Sequence, residues 1–260
     1  MAQRVGKLDF IPPSLTVQAL EGCNIYAACA LAEKVGARLI EGELIGDDSS
    51  LIVRYSPSGV SLAHGNMELT GDFSRLAPRI SPNRLGSELV VKAAGSISRY
   101  GEAAHVVDAT AGLGEDSFLL AARGFEVDLY ERNPVVAELL RDAILRASSD
   151  PRLSNVVSRM HFHEEDSILA LPNLSENPNV VLLDPMFPAK GKSSLAKKKL
   201  QLLQMLERPC EDEAELFQAA MAVKPDRVVV KRPDKGPWLA GEKPSFSIQG
   251  KTVRFDCYVR

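Results

Sequence analysis

Strand-like and helix-like segments alternate along most of this 260-residue chain, and this alternation constrains the fold more than any other feature. Short apolar runs typical of buried strands are separated by segments whose apolar residues recur at helical spacing. The pattern predicts strands at 103–108, 125–130, 156–162, 180–183 and 227–231, and helices at 82–99, 115–123, 134–147, 195–206 and 211–222. Repeated strand–helix units predict an α/β fold, a parallel sheet with helices on both faces. The last two runs, 245–248 and 252–255, predict a C-terminal antiparallel hairpin because only three residues separate them.

The first 75 residues have a different sequence pattern, in which short apolar runs are separated by residues typical of turns. Strands are predicted at 51–55 and 59–62, and an Ala-rich helix at 25–35 that ends at Gly36. We therefore predict two parts, a small N-terminal α+β subdomain (1–75) and a main domain (76–260). The sequence of this subdomain indicates no catalytic or binding function.

Composition excludes several classes of protein. The chain has no apolar run of about 18 residues, which argues against a transmembrane helix, and no apolar signal core near Met1, so a cytoplasmic location is expected. The four cysteines form no C-x-x-C pair, which argues against a disulfide framework and a structural zinc site. The net charge of -3, taken alone, argues against a nucleic-acid partner.

A glycine turn follows the first strand of the main domain, at Asp108-Ala109-Thr110-Ala111-Gly112-Leu113-Gly114. Glycines at such a turn let the backbone approach a ligand closely. The dinucleotide pattern G-x-G-x-x-G is incomplete, because Ser117 stands at the third position. The next helix begins with Glu115 and Asp116, which would repel a pyrophosphate. The turn therefore favours a cofactor that lacks phosphate and carries positive charge, and S-adenosylmethionine fits.

Two further segments extend the predicted cofactor site. Glu131 lies 23 residues after Asp108, near the spacing at which an acid meets ribose hydroxyls in such folds. Asp108 is expected to reach the methionine amine directly or through the loop, with a helix-capping role as the alternative. Asp166 and Ser167 follow the third strand, where they would border the adenine or form a solvated acidic turn. His161 and His163 have no third ligand at sensible spacing, so no metal site is predicted.

The second chemical motif, Asp184-Pro185-Met186-Phe187-Pro188, follows the fourth strand directly. Open parallel sheets bind ligands beyond the carboxyl ends of their strands. The Asp184 carboxylate and the Pro185 carbonyl would accept the two N–H donors of an exocyclic amino group, and Phe187 would stack on the base. The alternative is a strand-capping loop with a buried Phe, since Asp-Pro pairs often form turns.

Basic residues surround this motif in the sequence. The stretch 189–199 contains five lysines and no acid, and further basic residues follow the fifth strand; the residues predicted to bind an RNA backbone are Lys190, Lys192, Lys197, Lys198, Lys199, Lys231 and Arg232. A solvated helix start is the alternative for the lysine run. Acidic residues instead gather at the predicted cofactor site. The distribution of charge thus points to RNA even though the net charge does not.

Four motifs in order resemble the ribosomal RNA small subunit methyltransferase J family over roughly residues 80–260: the glycine turn at 108–114, Tyr130-Glu131-Arg132-Asn133-Pro134-Val135-Val136, Leu183-Asp184-Pro185-Met186-Phe187-Pro188, and Val228-Val229-Val230-Lys231-Arg232-Pro233. Met186 stands where the second proline of the wider Asp/Asn-Pro-Pro-Tyr/Phe pattern usually lies. The resemblance implies a Rossmann-like class I S-adenosylmethionine-dependent methyltransferase sheet that methylates guanine 1516 of 16S rRNA at N2.

The same resemblance implies cofactor contacts at Glu115, Asp116, Glu131, Arg132, Ser167 and Asp184, to which the glycine turn adds Gly112 and Gly114. The expected partner is 16S rRNA or the small ribosomal subunit, with no membrane and no metal. Three other readings stay open at this point: an amino-methyltransferase for DNA adenine or a protein amide, a nicotinamide-dependent oxidoreductase, and an RNA-binding module without catalysis. The missing third glycine and the acidic helix start count against the oxidoreductase.

Overall fold

The structure is a computed structural model that describes residues 15–43, 50–101, 104–185, 195–206 and 212–260, the backbone alone for 195–200. The described part contains twelve strands: β1 (Leu15–Ala19), β2 (Arg38–Glu41), β3 (Leu51–Ser56), β4 (Gly59–His64), β5 (Met67–Leu69), β6 (His105–Asp108), β7 (Glu126–Tyr130), β8 (Met160–His163), β9 (Val180–Leu183), β10 (Arg227–Pro233), β11 (Phe246–Gln249) and β12 (Val253–Val259). The described helices are α1 (Ile25–Val35), α2 (Pro82–Leu85), α3 (Leu89–Ala94), α4 (Glu115–Arg123), α5 (Pro134–Ser148), α6 (Ser154–Val157), α7 (Ser167–Ala170), α8 (Leu195–Leu206) and α9 (Glu213–Ala222).

The chain divides into two compact units. One comprises residues 1–72, 132–146 and 187–209, and the other comprises residues 73–131, 147–186 and 210–260. The predicted division into 1–75 and 76–260 stays a prediction. No helix in the described part of the chain is long and apolar enough to cross a membrane.

The first unit contains a five-stranded sheet in the order β2-β1-β3-β4-β5. β1 pairs in parallel with both β2 and β3, whereas β3, β4 and β5 follow one another as antiparallel neighbours. Helix α1 connects β1 to β2 and buries Ala28, Leu31, Ala32 and Val35. It ends at Gly36, as predicted, because that residue adopts a φ of 64° and its N–H caps carbonyls of the last turn.

The second unit contains a seven-stranded sheet in the order β11-β12-β10-β9-β6-β7-β8. Strands β10, β9, β6, β7 and β8 are parallel, and β12 is antiparallel to both β10 and β11. The predicted α/β sheet with a C-terminal hairpin is therefore confirmed. The order reverses at β6, from which β7 and β8 extend to one side and β9 and β10 to the other, and ligands bind at such a switch point.

The central strands are apolar because both faces of the sheet are covered. All four residues of β9 are buried, as expected for a parallel strand with helices on either side. One buried cluster joins the sheet to α9 and to the 3₁₀ turn Leu239–Gly241, and it includes Leu183, Leu216, Phe217, Val230 and Leu239. This packing covers one face of β9 and β10.

Two predicted elements differ from the structure. The single helix predicted at 82–99 is broken into α2, α3 and the 3₁₀ turn Ile97–Arg99. Glu88, between α2 and α3, is extended with a ψ of 133°, and α3 stops at Gly95, whose φ of 94° lies outside the helical region. The strand predicted at 156–162 is also wrong in its first half. Residues 154–157 form α6, and β8 begins at Met160.

Candidate active site

The glycine turn joins the carboxyl ends of β6 and β7. Gly112 and Gly114 adopt φ values of 55° and 71°, which residues with side chains rarely adopt. The N–H of Ala111 donates to the carbonyl of Tyr130 at 3.0 Å. A Cβ added to Gly112 would meet no protein atom within 4 Å, so the turn has open space beside its backbone. This is the close-approach surface that the sequence predicts for a cofactor.

Glu131 lies beside that turn at the end of β7. Its Oε2 accepts the Gly112 N–H at 2.9 Å, and its own N–H donates to the His163 carbonyl at 3.1 Å. The side chain is 8% exposed. The carboxylate is therefore held at the edge of the turn, where the ribose of an adenosine is expected. Arg132, which follows it in the chain, is partly exposed, and its cofactor contact stays a prediction.

Asp108 organises the turn from inside the fold. Its Oδ1 accepts the Thr110 N–H at 3.2 Å, and its Oδ2 accepts the Ser117 hydroxyl at 2.5 Å. Burial raises the pKa of Asp108 to about 7, and nearby Asp116 and Asp184 add to this, while the two hydrogen bonds oppose it. Of the two predicted ways to act on the methionine amine, this geometry favours the indirect one, through the loop.

The segment after β8 is tied to the same turn. The Ser167 hydroxyl donates to the Ala109 carbonyl at 2.7 Å, and Ser167 is buried. Asp166 caps α7 by accepting the Ile168 N–H at 2.9 Å. Both residues thus fix the loop at the position predicted for the adenine edge, although their contact with adenine stays a prediction.

Lys231 bridges the cofactor side and the acceptor side of the site. Its Nζ lies 2.7 Å from Asp116 Oδ2, in the first turn of α4, and 2.9 Å from Asp184 Oδ2, just beyond β9. Burial lowers the pKa of Lys231, but the carboxylates of Asp184 and Asp116 outweigh it and raise that pKa above its ordinary value. The ammonium therefore remains charged and holds two carboxylates of the site together.

Asp184 has a second anchor in the glycine turn. Its backbone N–H donates to the Thr110 hydroxyl oxygen at 2.5 Å. Thr110 in turn donates its own N–H to Asp108. The Asp184 side chain retains 41% exposure, whereas Pro185 is buried. The Asp184 carboxylate of the predicted acceptor clamp is thus accessible to solvent, and the residue is held by Thr110 and by Lys231.

The residues predicted to contact RNA fall into three groups, which differ in how far the structure describes them. Phe187, Lys190 and Lys192 lie outside the described residues, and Lys197, Lys198 and Lys199 belong to α8, whose side chains at these positions are not described. The Lys231 ammonium is hydrogen-bonded to the carboxylates of Asp116 and Asp184. Arg232 is 1% exposed, and its guanidinium donates to the Pro237 carbonyl and to Glu213. This placement does not support the predicted phosphate contacts of Lys231 and Arg232.

Sequence reasoning missed the polar residues that connect the motifs. Thr110 lies within the glycine turn and Ser117 lies in the first turn of α4; the only sequence signal for either is a hydroxyl group near the strand-end Asp108. On the sheet, the Nε2 atoms of His105 and His163 each lie 2.6 Å from an Asp128 oxygen. Burial raises the pKa of Asp128, but these two hydrogen bonds outweigh it and lower that pKa.

Metal ligation and cofactor fit can be judged from the same residues. Within the described ranges, no group of three or more His, Cys, Asp or Glu side chains is placed to hold a metal ion. The site instead has carboxylates at Glu131, Asp116 and Asp184 around an open glycine turn. This set suits a cationic, phosphate-free nucleoside such as S-adenosylmethionine, because carboxylates attract its ammonium and sulfonium and accept its ribose hydroxyls.

The comparisons with known proteins agree with this fit. The family model described as "Putative SAM-dependent methyltransferase" matches residues 56–260. The chain is 41% identical over 240 residues to ribosomal RNA small subunit methyltransferase J of Thioalkalivibrio sulfidiphilus, with 88% of this chain and 92% of the relative covered. It is 38% identical over 259 residues to the enzyme of the same name from Pseudomonas aeruginosa, with 96% of each chain covered.

A solved structure shows the same fold. The crystal structure of a SAM-dependent methyltransferase from Neisseria gonorrhoeae is similar at a TM-score of 0.70 and 30% identity, with 94% of this chain and 96% of that chain covered. The chain therefore belongs to the ribosomal RNA small subunit methyltransferase J family and is an S-adenosylmethionine-dependent methyltransferase.

Proposed function

We propose that the protein transfers a methyl group to the exocyclic N2 of a guanosine in 16S rRNA, guanosine 1516 by family resemblance. The names of its relatives supply the RNA class. The observation that carries the proposal is the bridge from Asp116 through Lys231 to Asp184, which fixes an acceptor carboxylate next to the cofactor turn.

The chemistry of an amino acceptor explains why a fixed carboxylate is needed. Guanine N2 carries two N–H donors and a lone pair that is delocalised into the ring. The Asp184 carboxylate and the Pro185 carbonyl accept those donors and orient the nitrogen. Lys231 and Thr110 hold Asp184 in place before substrate arrives. Positioning of this kind supplies a large part of the rate enhancement in bimolecular transfers.

The remaining residues serve the donor side. When bound, S-adenosylmethionine supplies an electrophilic methyl group on a sulfonium. Glu131 binds the ribose hydroxyls, Asp166 and Ser167 border the adenine, and Asp108 shapes the turn that contacts the methionine end. In such a transfer the N2 lone pair would form the new N–C bond, and the electrons of the donor's methyl–sulfur bond would leave with sulfur. The proton lost from N2 leaves through the Asp184 carboxylate to water, so no stronger base is required.

The RNA side of the proposal includes the predicted lysines and Phe187. Lys190, Lys192 and the three lysines of α8 would contact phosphates, and Phe187 would stack on the target base. The partner is naked 16S rRNA, an assembly intermediate or the small subunit, and a cytoplasmic location follows from that partner.

Methyl transfer from labelled S-adenosylmethionine tests the proposal. The protein is incubated with small ribosomal subunits, naked 16S rRNA or DNA, and the products are digested to nucleosides and separated. We expect label in N2-methylguanosine from an RNA substrate. Absence of label in every RNA would refute the proposal, and label in adenine or in a protein amide would support the alternative acceptors instead.

A pair of variants tests the clamp. Asp184→Ala should abolish transfer while S-adenosylmethionine binding remains measurable by calorimetry. Asp226→Asn is the matched control, because Asp226 lies at the amino end of β10 and bonds only Asn179 among the hydrogen bonds found for the described residues. Near-normal turnover of Asp184→Ala would show that the clamp is assigned to the wrong residue.

A further inference from the structure

The loop after β10 is fixed by a buried arginine. Arg254, on β12, donates from Nη1 to the carbonyl of Pro233, the last residue of β10, and to those of Asp234 and Gly236 in the loop, at 3.0, 2.8 and 2.9 Å. Its other nitrogens bond the carboxylate of Asp256, which is fully buried. Nη1 has two hydrogens, so at least one of them is shared between carbonyls. These charge-assisted contacts restrict the conformation of the loop.

A second arginine and a buried leucine hold the next residues. Arg232 donates from Nε to the Pro237 carbonyl at 2.9 Å. Leu239 is 0% exposed and belongs to the same buried cluster as Leu183, the residue before Asp184. The Tyr258 hydroxyl donates to the Glu242 carbonyl at 2.8 Å. Hydrogen bonds and packing therefore attach the backbone on both sides of Trp238 to the sheet.

Trp238 itself is exposed on this rigid segment. Its side chain is 42% exposed, while its neighbour Leu239 is buried. The turn that follows places Ala240 at a φ of 51°, and a non-glycine residue in this region stores strain that is common near functional sites. Buried charge and packing thus hold the backbone on both sides of an exposed indole ring.

The position of Trp238 relates it to the acceptor site. β9 and β10 are parallel neighbours, with Leu183 paired to Val230. Asp184 lies just beyond the carboxyl end of β9. The Pro237 carbonyl, next to Trp238, is bonded by Arg232 near the carboxyl end of β10, before the segment crosses the sheet face to Glu242, whose carbonyl Tyr258 bonds. Trp238 therefore lies toward the same edge of the sheet as Asp184, the edge where ligands bind. Lys235 and Lys243, which flank Trp238 in sequence, are exposed. An aromatic plane between basic residues is the arrangement that binds single-stranded nucleic acid.

We propose that Trp238 is a stacking platform for an unpaired base of the RNA substrate, next to the base that Asp184 holds. The proposal rests on the proposed function, because it takes RNA as the substrate. RNA is recognised mainly at single-stranded segments whose bases stack on aromatic side chains. A platform there would hold the strand flanking the target nucleotide and leave the methyl-transfer chemistry to Asp184.

The sequence offers a direct probe, since Trp238 is the only tryptophan of the chain. Intrinsic emission is measured while the protein is titrated with a single-stranded oligoribonucleotide matching the 16S rRNA around guanosine 1516. We expect saturable quenching, because a stacked base quenches indole fluorescence. Sodium polyphosphate, which has charge and no bases, should leave the emission unchanged. Equal quenching by polyphosphate, or none by the RNA, overturns the proposal.

Kinetics of variants provide the second measurement. Trp238→Ala should raise the KM for RNA by about 5- to 150-fold, the effect of about 1–3 kcal/mol per stacked base. The kcat at saturating RNA and the KM for S-adenosylmethionine should stay within about twofold of wild type, and Trp238→Phe should recover part of the loss. A loss of folding would instead lower kcat and cofactor binding together.

Phe246 supplies the matched control. It has the same 42% exposure, but its ring lies over Arg227, at the amino end of β10 and so at the opposite edge of the sheet. Phe246→Ala should leave the KM for RNA unchanged. An unchanged KM in Trp238→Ala, or an equal rise in both variants, contradicts the proposal. If wild-type protein methylates no RNA, the proposed function fails, and the quenching titration still decides whether Trp238 stacks on bases.

Discussion

Removal of the charge of Lys231 is the sharpest test of how the site is held together. Lys231→Met keeps the apolar stem of the side chain and leaves Asp116 and Asp184 without their shared cation. Two unit charges about 4 Å apart interact by about 4 kcal/mol at an effective dielectric constant of about 20. Lys231 and Asp184 retain 26% and 41% exposure, and solvent screening of exposed pairs reduces such energies toward about 1 kcal/mol.

A value between these limits, about 2 kcal/mol, corresponds to a roughly 30-fold loss of kcat/KM for RNA methylation. The loss arises because Asp184 is repelled by Asp116 and no longer keeps the position that orients the acceptor nitrogen. The assay is steady-state transfer of labelled methyl to RNA, with each substrate varied in turn.

The cofactor supplies an internal control that a folding defect cannot imitate. S-adenosylmethionine carries a sulfonium charge that S-adenosylhomocysteine lacks. Because Lys231→Met removes a cation from the site, the variant should bind S-adenosylmethionine at least as tightly as wild type and should favour it more strongly over S-adenosylhomocysteine. Calorimetric titration of both ligands measures this ratio.

Two further variants complete the test. Lys231→Arg should recover part of the lost activity, because the guanidinium restores the charge with a different reach. Lys92→Met changes the net charge equally at an exposed position of α3 and should behave as wild type. The reasoning is refuted if Lys231→Met keeps kcat/KM within about twofold, or if it loses cofactor affinity in parallel with turnover.

Three other substitutions address the donor site, stability and RNA attraction. Glu131→Gln should raise the KM for S-adenosylmethionine by about tenfold, since a charged acceptor of hydroxyl protons is worth more than a neutral one; an unchanged KM in steady-state assays would exclude the ribose role. Burial raises the pKa of Asp108 to about 7, so the folded state retains a proton that the unfolded state loses above about pH 4, and the stability from this group falls as pH rises to about 7. Asp108→Asn should therefore gain a few kcal/mol relative to wild type across that window in urea unfolding, and a pH-independent difference would contradict the buried carboxyl. Neutralising Lys197, Lys198 and Lys199 to Gln should reduce the slope of log K against log salt by about 2, at about 0.7 per phosphate contact on a single strand; an unchanged slope in filter binding would remove them from the interface.

Local signals in the sequence predict the elements that local physics determines. Helix α4 begins after Gly114 and ends at Gly124, because both residues adopt left-handed conformations that stop the helix. The all-apolar run of β9 predicts a central parallel strand, since only burial on both faces tolerates it. The helix predicted over 82–99 is wrong because its apolar spacing continues past Gly95, where the backbone turns away.

Partners distant in the chain could not be predicted in the same way. Lys231 and Asp116 are 115 residues apart, and nothing near either residue in sequence indicates the other. From the sequence, Lys231 and Arg232 are predicted to bind phosphates. That prediction assumes that their side chains face solvent, because the sequence does not reveal what surrounds them. In the fold, β10 brings Lys231 beside Asp184 and points Arg232 at Glu213 and the Pro237 carbonyl. The sequence predicts an acceptor role for Asp184 at the end of β9, but it does not indicate that Lys231 is bonded to this carboxylate.

The burial of each basic side chain decides whether it can bind a phosphate of the RNA substrate. Arg232 and Arg254 are 1% and 7% exposed and bond carboxylates and loop carbonyls; to reach a phosphate they would leave those acceptors unpaired at a cost of a few kcal/mol. These two arginines therefore stabilise the loop after β10, and attraction of the RNA backbone is left to exposed basic residues such as Lys235 and Lys243. A whole-chain charge of -3 adds these two kinds together. For the same reason, the salt dependence of RNA binding should respond to the exposed lysines, while substitution of the buried arginines should alter which base reaches Trp238 and Asp184.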